Sequence, residues 1–161
     1  MIEPRSILLV EDEAPKRDQI AAFLAKLCPN ADVQSAKSVR AAIAAMKREA
    51  PSLLILDMSL PTFDVGPYEA GGRPQGFGGV EVVRYLKLLN LEVPVIVVTA
   101  YEAFVRRGGD VDLKGLSEQL RKEYGPRFHG LVYYNSLYGS WRDELKTLLA
   151  SLRDKNENIA G

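Results

Sequence analysis

Two apolar runs, Ser6-Ile7-Leu8-Leu9-Val10 and Leu53-Leu54-Ile55-Leu56, each stop at carboxylates: Glu11-Asp12-Glu13 after the first and Asp57 after the second. Unbroken Val/Ile/Leu runs of this length are typical of strands buried on both faces, as in a parallel sheet. Functional groups of such sheets gather just past the carboxyl ends of the strands, so two neighbouring strands of this kind converge Glu11, Asp12 and Asp57 on one crevice. Clustered carboxylates repel one another unless a cation sits among them. The pattern therefore points to a hard-cation site of the kind that binds Mg²⁺ and handles phosphate.

The rest of the chain repeats the alternation. Ala14 to Leu27 carries Ile20, Phe23, Leu24 and Leu27 at helical spacing, with Pro15 tolerated in a first turn. Asp32 to Ala36 reads as a short strand, and Ser38 caps a helix from Val39 to about Glu49 with Val39, Ile43 and Met46 on its buried stripe. Pro51 ends that segment. After Leu56 an irregular stretch rich in Pro and Gly runs to Gly78, a helix follows from Gly79 to about Leu89, and Val93 to Val98 is a fourth buried strand. Beyond Thr99 the reading is helical, broken at Gly108-Gly109 and resumed from about Leu113 to Tyr124. Gly130 to Tyr134 is the fifth strand, and Trp141 to Leu152 a last amphipathic helix. Strands alternating with helices imply an α/β fold, a doubly wound parallel sheet with helices on both faces.

With 161 residues the chain is most simply one domain, and its balance of 21 basic and 21 acidic residues gives no electrostatic reason to expect nucleic acid or an anionic membrane as partner. Cys28 is the lone cysteine, which excludes an internal disulfide framework and suits a reducing compartment. No apolar run approaches the length that spans a bilayer. The expected location is the cytoplasm.

Taken together, Leu8-Leu9-Val10-Glu11-Asp12-Glu13, Asp57-Met58-Ser59-Leu60-Pro61, Gly79 opening the third helix, and Pro94-Val95-Ile96-Val97-Val98-Thr99-Ala100 resemble a response-regulator receiver domain, from about Arg5 to Leu152. The resemblance implies a flavodoxin-like five-stranded sheet in the order 2-1-3-4-5, with the site at the β1/β3 switch point. It also implies that Asp57 is the phosphoacceptor, attacking a phosphohistidine of a histidine kinase or phosphotransfer protein. By the same resemblance Mg²⁺ is held by Asp12, Asp57 and the backbone carbonyl of Ser59, with Glu11 acting through water. Thr99 would donate its hydroxyl to a phosphoryl oxygen, small Ala100 would leave room for the group, and Ser59 and Tyr101 match positions that tune its lifetime.

The chain departs from the family at the end of the fifth strand. Members carry a Lys there whose ammonium pairs with the phosphoacceptor, whereas Gly130-Leu131-Val132-Tyr133-Tyr134-Asn135 contains none. Tyr134 is the expected occupant and a one-residue shift would give Asn135. The aromatic switch position becomes Leu131. Lys114 or Arg106 could supply a base from the enlarged region between Thr99 and the fifth strand.

Extra residues at about 62–77 and 104–124 are read as insertions, the first offering Phe63, Tyr68 and Phe77 for contact, and 154–161 as a flexible tail after a receiver domain of 1–153. The glycines at Gly71, Gly72, Gly76, Gly78 and Gly79 lack a following Gly-Lys-Ser/Thr and so make no phosphate cradle. His129 has no partner for metal binding and reads as a strand-edge residue.

The expected function is that of a stand-alone receiver in phosphorelay signal transduction, not an enzyme in its own right, whose output is contact with a downstream protein. The missing Lys and the enlarged loops favour the alternative, a non-phosphorylated pseudo-receiver acting as an adaptor.

Overall fold

The computed structural model describes residues 4–60, 78–100, 103–106, 109–135, 137 and 139–160. Its core is a parallel sheet of β1 (Ser6–Val10), β2 (Asp32–Ala36), β3 (Leu53–Leu56), β4 (Val95–Thr99) and β7 (Phe128–Tyr133), in the order β2-β1-β3-β4-β7. The helices are α1 (Ala14–Leu27), α2 (Val39–Arg48), α3 (Gly78–Leu88), α4 (Leu113–Tyr124) and α5 (Ser140–Ala160). The expected strand order 2-1-3-4-5 is observed, with β7 as its fifth strand.

Side chains alternate across a strand, so each buried run feeds both faces of the sheet. Ile7, Leu9, Leu53, Ile55, Ile96, Val98 and Val132 point to the face that also holds Ile20 and Leu24 of α1 and Trp141, Leu145 and Leu149 of α5. Leu8, Val10, Leu54, Leu56, Val95 and Val97 pack on the other face with Met46 of α2, Val82 and Leu86 of α3, and Leu116 and Leu120 of α4. Each aliphatic side chain so buried contributes about 1.5–3 kcal/mol of transfer free energy, which is why the central strands β3 and β4 carry no polar residue before Thr99. The register pairs Val10 with Leu56, Leu56 with Val97 and Thr99 with Tyr133, so the strands finish side by side.

Two features differ from the sequence reading. Between β4 and α4 the chain forms a two-stranded antiparallel sheet, β5 (Ala103–Arg106) with β6 (Gly109–Asp112), where a helix is expected. Successive glycines at 108 and 109 each disfavour a helix by about 1 kcal/mol, and Phe104, Val105 and Val111 are strand formers, so a hairpin is the better local solution. At the other end α5 runs on to Ala160 instead of stopping at Leu152. Nothing between Arg153 and Ala160 breaks a helix, and the first Gly is Gly161. Strand and helix bounds elsewhere move by a few residues, as for β7, which begins at Phe128. The first insertion, 62–77, with Phe63, Tyr68 and Phe77, lies outside the described residues.

Candidate functional site

The site forms where β1, β3 and β4 end. The Glu11 N–H donates to the Ala36 carbonyl and the Asp57 N–H to the Val10 carbonyl, both at 3.0 Å, so the sheet pairing carries on into the acidic turns and holds them in register. On α1, the Arg17 guanidinium Nη1 donates to the backbone carbonyls of Glu11 (3.2 Å) and Asp12 (3.3 Å), fixing the turn between β1 and α1. On the far side α3 starts close against β3. The Gly79 N–H donates to the Met58 carbonyl at 3.0 Å, and a Cβ at Gly79 would lie 2.6 Å from the Asp57 carbonyl oxygen. Any larger residue there would push α3 off the segment that carries Asp57.

The structure brings Glu11, Asp12 and Asp57 together, with ligand atoms within 4.8 Å of one another. Glu11 and Asp57 are buried and Asp12 is exposed. Burial pushes the Glu11 carboxyl up to about 7, with the charge of Asp57 adding to it and Lys16 opposing it. Burial likewise raises Asp57 to about 6 against the lowering influence of Lys16 and a hydrogen bond from the Ser59 backbone. Thr99, fully buried, closes β4 beside them, and the small side chain of Ala100 is exposed at the rim. Ser59 is half-buried. Tyr101 lies outside the described residues.

The sequence reading missed Lys16. It sits in the first turn of α1, 3% exposed, with its Nζ 2.6 Å from Glu11 Oε2, 2.9 Å from the Val98 carbonyl oxygen and 3.4 Å from Asp57 Oδ1. An ammonium has three protons to donate, and here three oxygens receive it. The signal was present in the helix periodicity. Lys16, Ile20 and Leu24 form one i, i+4, i+8 stripe, and all are buried. A lysine at the end of an inward stripe must find anions or snorkel out, and this one points into the acidic crevice.

Tyr134 stands next to β7, its N–H donating to the Thr99 carbonyl at 2.8 Å. Its hydroxyl turns away to donate to Gln19 Oε1 on α1 at 2.9 Å, and its ring lies 5.8 Å from Lys16 Nζ and 5.2 Å from the Trp141 ring. Asn135 uses its side-chain oxygen to accept the Leu137 N–H, and so closes a turn. Leu131 packs, partly buried, against the α2–α3–α4 side of the core. Lys114 is exposed on α4 and makes no described contact with the acids, and Arg106 lies on β5 with its side chain outside the described set. His129 sits on the edge strand β7 and bonds through Nε2 with the Leu148 carbonyl at 2.8 Å.

The donor set suits a small hard dication: carboxylate oxygens converging from two strand ends, with a net charge of −2 when all three acids are ionised and Lys16 is counted. Asp12 and Asp57 are the acids best able to bind directly. Glu11 is tied on both oxygens, Oε1 accepting the Glu13 N–H at 3.1 Å and Oε2 facing Lys16.

Comparison with known proteins agrees with this geometry. Residues 7–127 match the response regulator receiver domain family. The chain is 29% identical over 131 residues to the Detocs response regulatory protein DtcB of Vibrio alginolyticus, covering 80% of this chain and 88% of that one. It is 21% identical over 141 residues to the DtcB of Enterobacter cloacae, covering 86% and 94%. Among solved structures, a response regulator receiver domain protein from Clostridium thermocellum superposes with a TM-score of 0.64 at 16% identity, over 96% of this chain and 98% of that one.

Proposed function

The chain belongs to the response-regulator receiver family, and from that premise we propose that it works in a phosphorelay by accepting a phosphoryl group on Asp57 from a histidine kinase or phosphotransfer protein. The observation that carries this reading is the position of Asp57: buried at the end of a central strand, inside the three-acid cluster, beside Thr99 at the end of the neighbouring strand. Its likeness to two Detocs response regulatory proteins supports the same signalling role.

In the reaction an Asp57 carboxylate oxygen forms a bond to phosphorus as the bond from phosphorus to the donor atom breaks, and the leaving group departs with the electron pair. Bound Mg²⁺ supplies charge neutralisation while two anions approach. Asp12 and Asp57 would hold it, with the Ser59 carbonyl, while Glu11 would act through water. Thr99 would donate to a phosphoryl oxygen, Ala100 would leave the entry open, and Ser59 and Tyr101 would tune how long the group survives. The result is a signalling module rather than an enzyme with an external substrate.

We further read it as a cytoplasmic receiver whose output is contact with another protein, without direct binding of nucleic acid or membrane. Among the described residues no helix is long and apolar enough to cross a membrane. The extra residues at 62–77 and about 104–124, which follow Asp57 and Thr99 in the sequence, are the proposed places for partner contact.

The test is intact mass after incubation with acetyl phosphate and Mg²⁺, and with a cognate kinase where one is in hand. The wild type should gain one phosphoryl group and Asp57→Asn should not. A wild type that never gains it would leave the adaptor reading in its place.

A further inference from the structure

We propose that Lys16 supplies the cation that binds the phosphoryl group on Asp57, so that in this chain the positive charge reaches the site from α1 and not from the end of the fifth sheet strand. The proposal rests on the phosphoacceptor reading above and adds a residue to it.

The geometry is that of a group placed for the reacting oxygen. Lys16 Nζ lies 3.4 Å from Asp57 Oδ1, anchored by the Val98 carbonyl at 2.9 Å and Glu11 Oε2 at 2.6 Å. Val98 immediately precedes Thr99, so the carbonyl that anchors the ammonium lies at the end of the strand that carries Thr99. Burying an ammonium costs several kcal/mol unless it is fully paired, so a lysine is not a neutral filler at an inward position of a helix. Methionine or leucine would extend the Ile20–Leu24 stripe without that cost.

The surroundings are fitted to Lys16. Tyr134, which takes the strand-end position, directs its hydroxyl to Gln19 and lays its ring 5.8 Å from the ammonium, walling it against Trp141. A lysine at 134 and another at 16 would compete for the same two carboxylates. Here position 134 is an aromatic, and Lys16 is the lysine that faces the carboxylates.

During transfer the ammonium keeps its protons. Phosphorus passes from the donor oxygen of acetyl phosphate to an Asp57 oxygen, and acetate leaves with the electron pair. Lys16 moves its hydrogen bond from Asp57 Oδ1 to a phosphoryl oxygen while Glu11 and the Val98 carbonyl continue to hold it. A fixed donor in a water-poor site is worth most where negative charge accumulates.

The experiment measures the initial rate of mass gain from acetyl phosphate at saturating Mg²⁺ in the full chain, with the folded fraction of each variant determined alongside. Lys16→Met should slow the rate about a hundredfold, the loss seen when a single oxyanion donor is removed. Lys16→Gln, which keeps a polar head without the charge, should be slowed by a similar factor, and serves if the Met variant fails to fold. Mg²⁺ should bind the Lys16 variants at least as tightly as wild type, because a competing cation has gone. Lys16→Met combined with Tyr134→Lys should recover at least tenfold over Lys16→Met. Folded Lys16 variants that take the phosphoryl group at the wild-type rate would overturn the proposal while leaving Asp57 as acceptor. A wild type that takes none would overturn both.

Discussion

The two faces of the sheet are built to different ends. Against one lie α2, α3 and α4, and the buried set there is mostly aliphatic, with Met46, Leu54, Leu56, Val82, Leu86, Leu116 and Leu120 packed beside Tyr124 and Phe128. Against the other lie α1 and α5, where Trp141 meets Phe23 edge-on at 5.4 Å and Tyr134 at 5.2 Å, and where the buried stripe of α1 ends in Lys16. The first face needs only to be apolar and well packed. The second must also deliver a charge to the site, and its aromatic residues form the wall that makes room for that charge. Tyr134, at the strand end where the family carries a Lys, and Lys16 both fall on this second face, which is the side from which the proposed cation reaches the site.

The comparison can be broken by mutation, and Trp141→Ala should do most damage. It empties the centre of the aromatic cluster and should cost about 3–5 kcal/mol in a denaturant titration, the range for large-to-small changes of buried aromatics. A loss under 1 kcal/mol would show that α5 is not what braces this face.

Next comes Lys16→Met without Mg²⁺, which leaves Glu11 and Asp57 facing each other without a counterion. At pH 8 the expected loss is about 3 kcal/mol, by analogy with buried pairs deprived of one partner. Near pH 5 it should shrink, because both acids then take up protons. An equal loss at the two pH values would argue that Lys16 stabilises by packing alone.

Asp57→Asn tests the same charge from the other side. The Asp57 carboxyl rises from 3.8 to about 6 on folding, through burial first. A raised folded value favours the native state below about pH 4, and that contribution is lost as pH climbs through about 6. The variant escapes the loss, so in the absence of Mg²⁺ it should be more stable than wild type at pH 8, by on the order of 2 kcal/mol, and nearly equal at pH 4. Thermal melts across that range check it. A gap that narrows as pH rises would contradict the sign.

The smallest effect belongs to the aliphatic face. The Ser38 hydroxyl accepts the Ala41 N–H at 3.1 Å and caps α2, so Ser38→Ala should cost about 1 kcal/mol with no change in phosphoryl transfer. A slowed transfer in this variant would mean that the two faces are coupled more tightly than their packing suggests.

The sheet was legible because its central strands are short apolar runs, two of which stop at carboxylates, and because a parallel sheet makes the strand ends converge. Glu11, Asp12 and Asp57 follow from that convergence, and Thr99 from the family resemblance. The β5–β6 pair was not legible, since its short runs around Gly108-Gly109 fit a broken helix as well as a hairpin. Lys16 escaped for a different reason. The α1 stripe was read from its apolar members alone, and a charged residue at the next inward position looks in a sequence like one more solvated lysine. Only the position of β1 relative to β4 shows that this helix end points at anions.

The most direct test is to watch Lys16 itself. In full-length protein, the Lys16 side-chain ¹⁵Nζ resonance, assigned by its absence in Lys16→Arg, is followed during titration with beryllofluoride and Mg²⁺, a stable substitute for the phosphoryl group. The account predicts a Lys16 shift that saturates together with those of the Asp57 and Thr99 amides and is absent in Asp57→Asn. A Lys16 signal that stays still while those amides move would show that the ammonium does not touch the phosphoryl group.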